Sequence, residues 1–435
     1  MNGTSATSSP QQSASILLQP QRHLAARIGI ALLILTLIGL QVRYALWLGN
    51  RPSLIADAFS ETNAIRAGAS YATEGFLKHA GLPDIAYGEQ FANTGFNSRV
   101  AEGESYVYTH YPPGSDLAMG LMTLLFGEGR IVLFRMFPIL LGLAGMSFLA
   151  WSLARNLGDA KAAALMLGCA IVPAFSNMMH GLHYQGYSLS LLLVELGALI
   201  FMFAPGRSCG VGWLGWYVFL FLVAFLQGWL SFDYCFLVTF APVPLAILRL
   251  GQKGAIRHGV ASTIVLGLGF TFAHSLHLLQ VAVYYGTMSA ALEDLTDSAR
   301  NRAIGRTSMK VHTTPASLLL AYLFHHIHKW HYFGWFFRLA AALAAAAIVT
   351  GRGRTMLDEP FPLDIRWNLN AWKSSFSVVA ALLISSLWIL IMWQHAWYHR
   401  HFIPRHLFLV YFFFLLIVIE QISARRATHE ALTET

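Results

Sequence analysis

Charge is what this chain has least of. Asp, Glu, Lys and Arg make up 11% of its 435 residues while 56% are hydrophobic, against about a quarter charged in soluble domains. That scarcity excludes an ordinary soluble domain and makes the chain a polytopic membrane protein. Cysteine is nearly missing too: Cys169, Cys209 and Cys235 lie in or beside apolar runs without Cys-x-x-Cys spacing, which excludes a disulfide framework and a zinc knuckle. There is no Gly-rich phosphate loop of Walker type and no large polar domain, so no nucleotide site is expected. The formal charge of +8 resides in Lys and Arg scattered over short segments, not in a basic stripe. Nucleic acid is therefore not an expected partner.

What the chain has in abundance is apolar sequence. A window of about 20 residues, the length that crosses a bilayer, finds ten candidate spans, roughly at 28–48, 131–154, 160–177, 187–205, 212–230, 235–250, 259–285, 333–350, 374–393 and 407–423. The sixth is short, and 315–332 reads as an interfacial helix. Connections on one side receive Arg155 and Lys161, Arg207, Arg249 with Lys253 and Arg257, Arg352 with Arg354, and Arg425 with Arg426. Positive-inside asymmetry makes that side cytoplasmic. The other side receives the long loop 49–130, the connections around His180 to Gly186 and Ser231 to Tyr234, the loop 286–332, and Trp393 to His406. Both termini are then cytoplasmic. Residues 1–25 read as a disordered tail, 26–423 as one transmembrane domain and 424–435 as a second tail. Arg22 and Arg27 precede the first apolar run, which lacks a small-residue cleavage site and reads as an anchor.

The loop 49–130 carries the candidate chemistry. It holds Asp57-Ala-Phe-Ser-Glu61 near its start and ends in Tyr108-Thr-His110-Tyr-Pro112-Pro113-Gly114 before the second span. Carboxylates are costly beside lipid and so need a role. In a helix Asp57, Glu61 and Ala64 share a face and Ile65, Ala69 and Ala72 keep helical spacing, which predicts amphipathic helices lying on the membrane surface. Asp57 and Glu61, one turn apart, can address one substrate; the alternative is that Asp57 caps the helix and Glu61 pairs with Arg66 or water. Pro112-Pro113 fixes an extended path that aims His110 and Tyr111 at an acceptor or sugar, or forms a stiff turn with Tyr111 as an interfacial aromatic.

Two histidine-rich stretches, His325 to His331 and His395 to His406, raise the question of a metal. Neither contains an acidic partner of the His-Glu-x-x-His kind, so no metal site is assigned and a divalent ion stays an alternative. In the second stretch, beside His399, Arg400 and Arg405 run against the positive-inside trend, which a bound lipid phosphate would explain. The segment from Tyr284 to Pro315 mixes Glu293, Asp294 and Asp297 with Arg300, Arg302, Arg306 and Lys310 and reads as solvated and mobile, its basic half able to close over a donor phosphate. Glu195 and Gln227 are expected to face the bundle and hydrogen-bond a neighbouring helix. His274 and His277, within a span, keep a membrane acyltransferase open.

The order of these features resembles the GT-C superfamily of polyprenyl-phosphate-sugar-dependent glycosyltransferases, most of all its protein O-mannosyltransferase, aminoarabinose-transferase and RgtA-like branch. Asp57, Glu61, Arg66, Glu74-Gly75-Phe76 and Tyr108 to Gly114 carry the likeness. The resemblance implies an all-α GT-C-like fold, with about ten transmembrane helices and a long outer first loop bearing surface helices. It also implies a lipid-linked sugar donor and an acceptor that is a glycan, a lipid or a protein; no cofactor is assigned beyond the alternative of a divalent ion, and the compact size of the chain points to a bacterial inner membrane with a periplasmic site. Asp57 takes the role of catalytic base with Glu61 as runner-up, and a carboxylate at a partly dehydrated surface is a stronger base than in bulk water. Relatives carry an acid at the outer start of the fourth span; here stands His180-Gly-Leu-His183-Tyr184-Gln185-Gly186-Tyr187, with Asp233 on the same side as a replacement. Arg66, His110, Tyr111, His183, Tyr184, Gln185, Asp233, His399, Arg400 and Arg405 are the expected substrate residues. The other reading is a transporter or flippase, whose internal repeats and midplane charges are not evident in the chain.

Overall fold

The computed structural model describes residues 38–49, 58–85, 106–157, 178–204, 212–232, 234–249 and 254–303, with single positions within 32–36, 165–175 and 384–412. Among the described residues the fold is all-helical, and its one strand-like pairing is an isolated antiparallel bridge between Asp84 and Val107. A helix through 38–48 and two further helices precede the first long one: α1 (Ala58–Glu74) and α2 (Gly114–Phe126). Then follow α3 (Ile131–Leu157), α4 (Tyr184–Phe203), α5 (Trp213–Leu230), α6 (Cys235–Phe240), α7 (Pro242–Ile247), α8 (Ala255–Tyr285) and α9 (Met288–Ala303).

Four of these, α3, α4, α5 and α8, are long and apolar enough to cross a membrane. Each coincides within a few residues with an expected span. α4 is apolar on every side and almost wholly buried, as befits the central helix of a bundle, whereas α5 and α8 leave Leu222, Leu226, Ile264 and Leu268 exposed on outward faces suited to lipid. Small residues let the helices approach closely. A Cβ on Gly145 of α3 would stand 2.5 Å from the Ser190 carbonyl oxygen of α4, and one on Gly269 of α8 would stand 2.7 Å from the Phe221 carbonyl oxygen of α5.

Contacts fix the direction of each helix. Arg135 near the start of α3 meets the carbonyl of His180 just before α4, Gly114 packs on Trp229 near the end of α5, and His277 near the end of α8 meets Thr109. Those ends therefore gather at the loop end of the bundle, while Arg249 meets the Ala204 carbonyl at the opposite end. This alternation agrees with the order of connections read from the sequence.

Three expectations take a different form. The expected span 235–250 holds two short apolar helices, α6 and α7, joined through Ala241 in helical conformation and Pro242, which lacks an amide donor, and it leads from the loop end of the bundle to Arg249 at the opposite end. The start of the 286–332 loop is not merely solvated: Gly286 in the left-handed region (φ 77°) ends α8, and α9 turns back with Ala291 buried. Finally, α1 does not lie on a surface, since every side chain from Glu61 to Tyr71 is buried. The expected spans at 333–350, 374–393 and 407–423, most of 160–177 and the stretch 315–332 lie outside the described residues.

Candidate functional site

α1 is held in the bundle by a buried charge knot. Glu61 is fully buried and pairs with Arg135 of α3, also fully buried, through Nη1 to Oε1 at 3.2 Å and Nη2 to Oε2 at 3.4 Å. Arg135 donates as well to the His180 carbonyl, and the Leu182 amide donates to Glu61 Oε1 at 3.0 Å. His180 in turn donates from Nε2 to the Gln41 carbonyl at 3.0 Å and sets its ring edge against Tyr44. Residues from four elements thus join in one network around this carboxylate: α1, α3, the turn before α4 and, through His180, the helix through 38–48. The sequence signal for Arg135 was a lone cation in an apolar run, which needs a counter-charge.

A second acid in the same loop sits in the opposite environment. Asp116, in the first turn of α2, is buried, and this desolvation pushes its carboxyl up to about 7, against the pull of its own backbone amide. Among the described residues no Lys or Arg forms an ion pair with it. Its charge acts on Tyr71, whose hydroxyl donates to the Gly81 carbonyl at 2.8 Å and is held well above its ordinary pKa by burial first and Asp116 second.

The expected substrate residues that are described gather at the loop end. Tyr111 stacks on Tyr184 (5.1 Å between centroids, 22°), meets the His183 ring edge-on at 6.4 Å and lies 6.1 Å from both Tyr108 and Phe232. His183 precedes α4 in extended conformation, and Gln185, in the first turn of α4, is buried with its Nε2 unpartnered among the described residues. Arg66 is buried within α1. His110 lies 3.4 Å from Asp294 of α9, and that carboxylate also accepts from Thr109 Oγ1 at 2.6 Å. Thr109 is gripped from a third side, its carbonyl accepting from His277 Nε2 at 2.9 Å. His274 contacts Cys235 Sγ at 3.5 Å and stacks on Phe232.

Asp57, directly before α1, and Asp233, His399, Arg400 and Arg405 lie outside the described residues. Gln227 of α5 donates to Ser188 of α4 at 2.7 Å, as expected, whereas the buried Glu195 carboxylate has no hydrogen-bond partner among the described residues. No group of three or more His, Cys, Asp or Glu is placed to hold a metal ion among the described residues. Cys169 and Cys235 are both buried. No family model, curated protein or solved structure matches the chain.

Proposed function

We propose that this protein is a membrane glycosyltransferase of GT-C type. It moves a sugar from a polyprenyl-phosphate carrier to an acceptor on the extracytoplasmic side of a membrane crossed about ten times, with both termini in the cytoplasm. The observation that carries the reading is the burial of α1. Its pairing through Glu61 to Arg135 and to the turn before α4 anchors the helix that begins directly after Asp57 at the same end of the bundle as Tyr111, His183 and Tyr184. The buried ion pair fixes this helix, because withdrawing either partner would leave an uncompensated buried charge.

In this mechanism the Asp57 carboxylate removes the acceptor hydroxyl proton as that oxygen attacks the anomeric carbon. The bond to the lipid phosphate breaks, the carrier leaves as the phosphate, and one displacement inverts the configuration. Glu61 is a positioning residue, since both of its oxygens are engaged within the fold. Arg400 or Arg405 holds the donor phosphate. No cofactor enters the chemistry.

The test incubates the purified protein in nanodiscs with radiolabelled polyprenyl-phosphate sugars and acceptor-rich membranes. Label should pass to an acceptor with inverted anomeric configuration. Intact donor carried across the bilayer without release of sugar would instead establish the transporter reading.

A further inference from the structure

We propose that the corner formed by Tyr284 and Tyr285, with Tyr106 and the Thr109-bound Asp294 carboxylate beside it, is a subsite for pyranose rings of an oligosaccharide acceptor. The inference rests on the glycosyltransferase reading and names its acceptor class. The three tyrosines come from two separate parts of the chain, Tyr106 from the segment paired with Asp84 and the other two from the last turn of α8. Each is about two-fifths exposed (43%, 39% and 43%). The rings of Tyr284 and Tyr285 lie 5.2 Å apart and are inclined by 64°, so they form two walls of a corner and not one closed stack. The Tyr285 hydroxyl hydrogen-bonds Thr109 and feels the Asp294 carboxylate and the Tyr284 and Tyr106 hydroxyls.

Asp294 is fixed in place by Thr109 and His110 yet keeps one-fifth of its side chain (21%) exposed. A carboxylate has about four acceptor positions, and two contacts leave lone pairs to receive ligand hydroxyls. A pyranose presents the matching chemistry, with apolar C–H faces for the rings and a rim of hydroxyl donors for the acid. A membrane-interface belt accounts for tyrosines at a helix end. It does not account for a carboxylate beside them, which lipid disfavours, or for a ring supplied by a distant loop. The corner is also continuous with the candidate site, because Thr109 and His110, which grip Asp294, lead directly into the Tyr108, Tyr111 and Tyr184 cluster. An oligosaccharide seated there would extend its end toward the Tyr111 and Tyr184 pair.

The experiment places the full-length protein, in nanodiscs labelled on their scaffold, on an array of bacterial and eukaryotic oligosaccharides without any donor. Wild type should be retained on at least one oligosaccharide class, and Asp294→Asn should weaken retention about tenfold, the usual scale for losing a hydrogen bond to a charged group. Tyr285→Leu should weaken it similarly, whereas Tyr285→Phe, which keeps the ring, should retain binding. Thermal midpoints matching wild type exclude misfolding as the cause. Wild type that is retained on no oligosaccharide overturns the proposal, as does retention that Asp294→Asn and Tyr285→Leu leave unchanged. Binding is read here without donor and transfer in the separate nanodisc assay, so binding here with no transfer there would remove the glycosyltransferase reading alone, and transfer there without binding here would remove the subsite alone.

Discussion

Glu61 and Asp116 occupy neighbouring helices of one loop, both buried, yet they are built to behave differently. Glu61 has a guanidinium, a backbone amide and a surrounding of fixed hydrogen bonds. Asp116 has its own amide, two nearby tyrosines and no cation among the described residues, and its carboxyl gains a proton near neutrality. Burial is common to both, so the partner decides the outcome. One acid is a fixed knot that ties α1 into the bundle, and the other is a titrating group between α1, α2 and α4. Neither arrangement is that of a base open to substrate, a role the proposal gives to Asp57.

Removing the cation from the knot is expected to do the most damage. Arg135→Ala leaves the Glu61 carboxylate buried without a counter-charge, which should cost about 3–5 kcal/mol, measured as a drop in the thermal or denaturant midpoint in detergent. The double change Glu61→Leu with Arg135→Met should recover much of that loss, since an apolar pair of similar volume replaces a charged one.

Asp116 should produce a pH effect of comparable or smaller size. Its folded carboxyl, near 7, holds the proton more tightly than the unfolded one, near 3.8. The associated stability is therefore complete below about pH 4, falls as pH rises toward 7, and levels off above it, a total on the order of 4 kcal/mol. In Asp116→Asn that slope should vanish from a stability profile between pH 4 and 8, while Glu61→Gln should leave it in place. Smallest is the neutral pair that serves as a baseline: Ser188→Ala strips the Gln227 amide of its partner and should cost about 1–3 kcal/mol, independent of pH.

The spans were legible because lipid-facing and bundle-facing residues alike must be apolar. α3, α4, α5 and α8 fall where hydropathy placed them. Gln227 was legible for a related reason, since a lone amide in an apolar helix needs a neighbour. The burial of α1 was harder to read, although Ala64, Ala67, Gly68 and Ala69 mark a helix made for close contact; a Cβ on Gly68 would stand 2.7 Å from the Met119 side chain. Charge on a short polar helix suggested solvent, and the counter-charge lay 74 residues away in Arg135. The grip of Asp294 on Thr109, across 185 residues, left no local signal at all. Proline explains the division of 235–250 into two helices, and Pro242 and Pro244 were already visible in the sequence.

The most direct test of the central claim is donor turnover by wild type, Asp57→Asn and Glu61→Gln, measured beside the thermal midpoint of each. The account predicts that Asp57→Asn keeps the wild-type midpoint and loses about a hundredfold or more in turnover, the usual contribution of a general base, while Glu61→Gln loses stability. Wild-type turnover in a folded Asp57→Asn protein would contradict it.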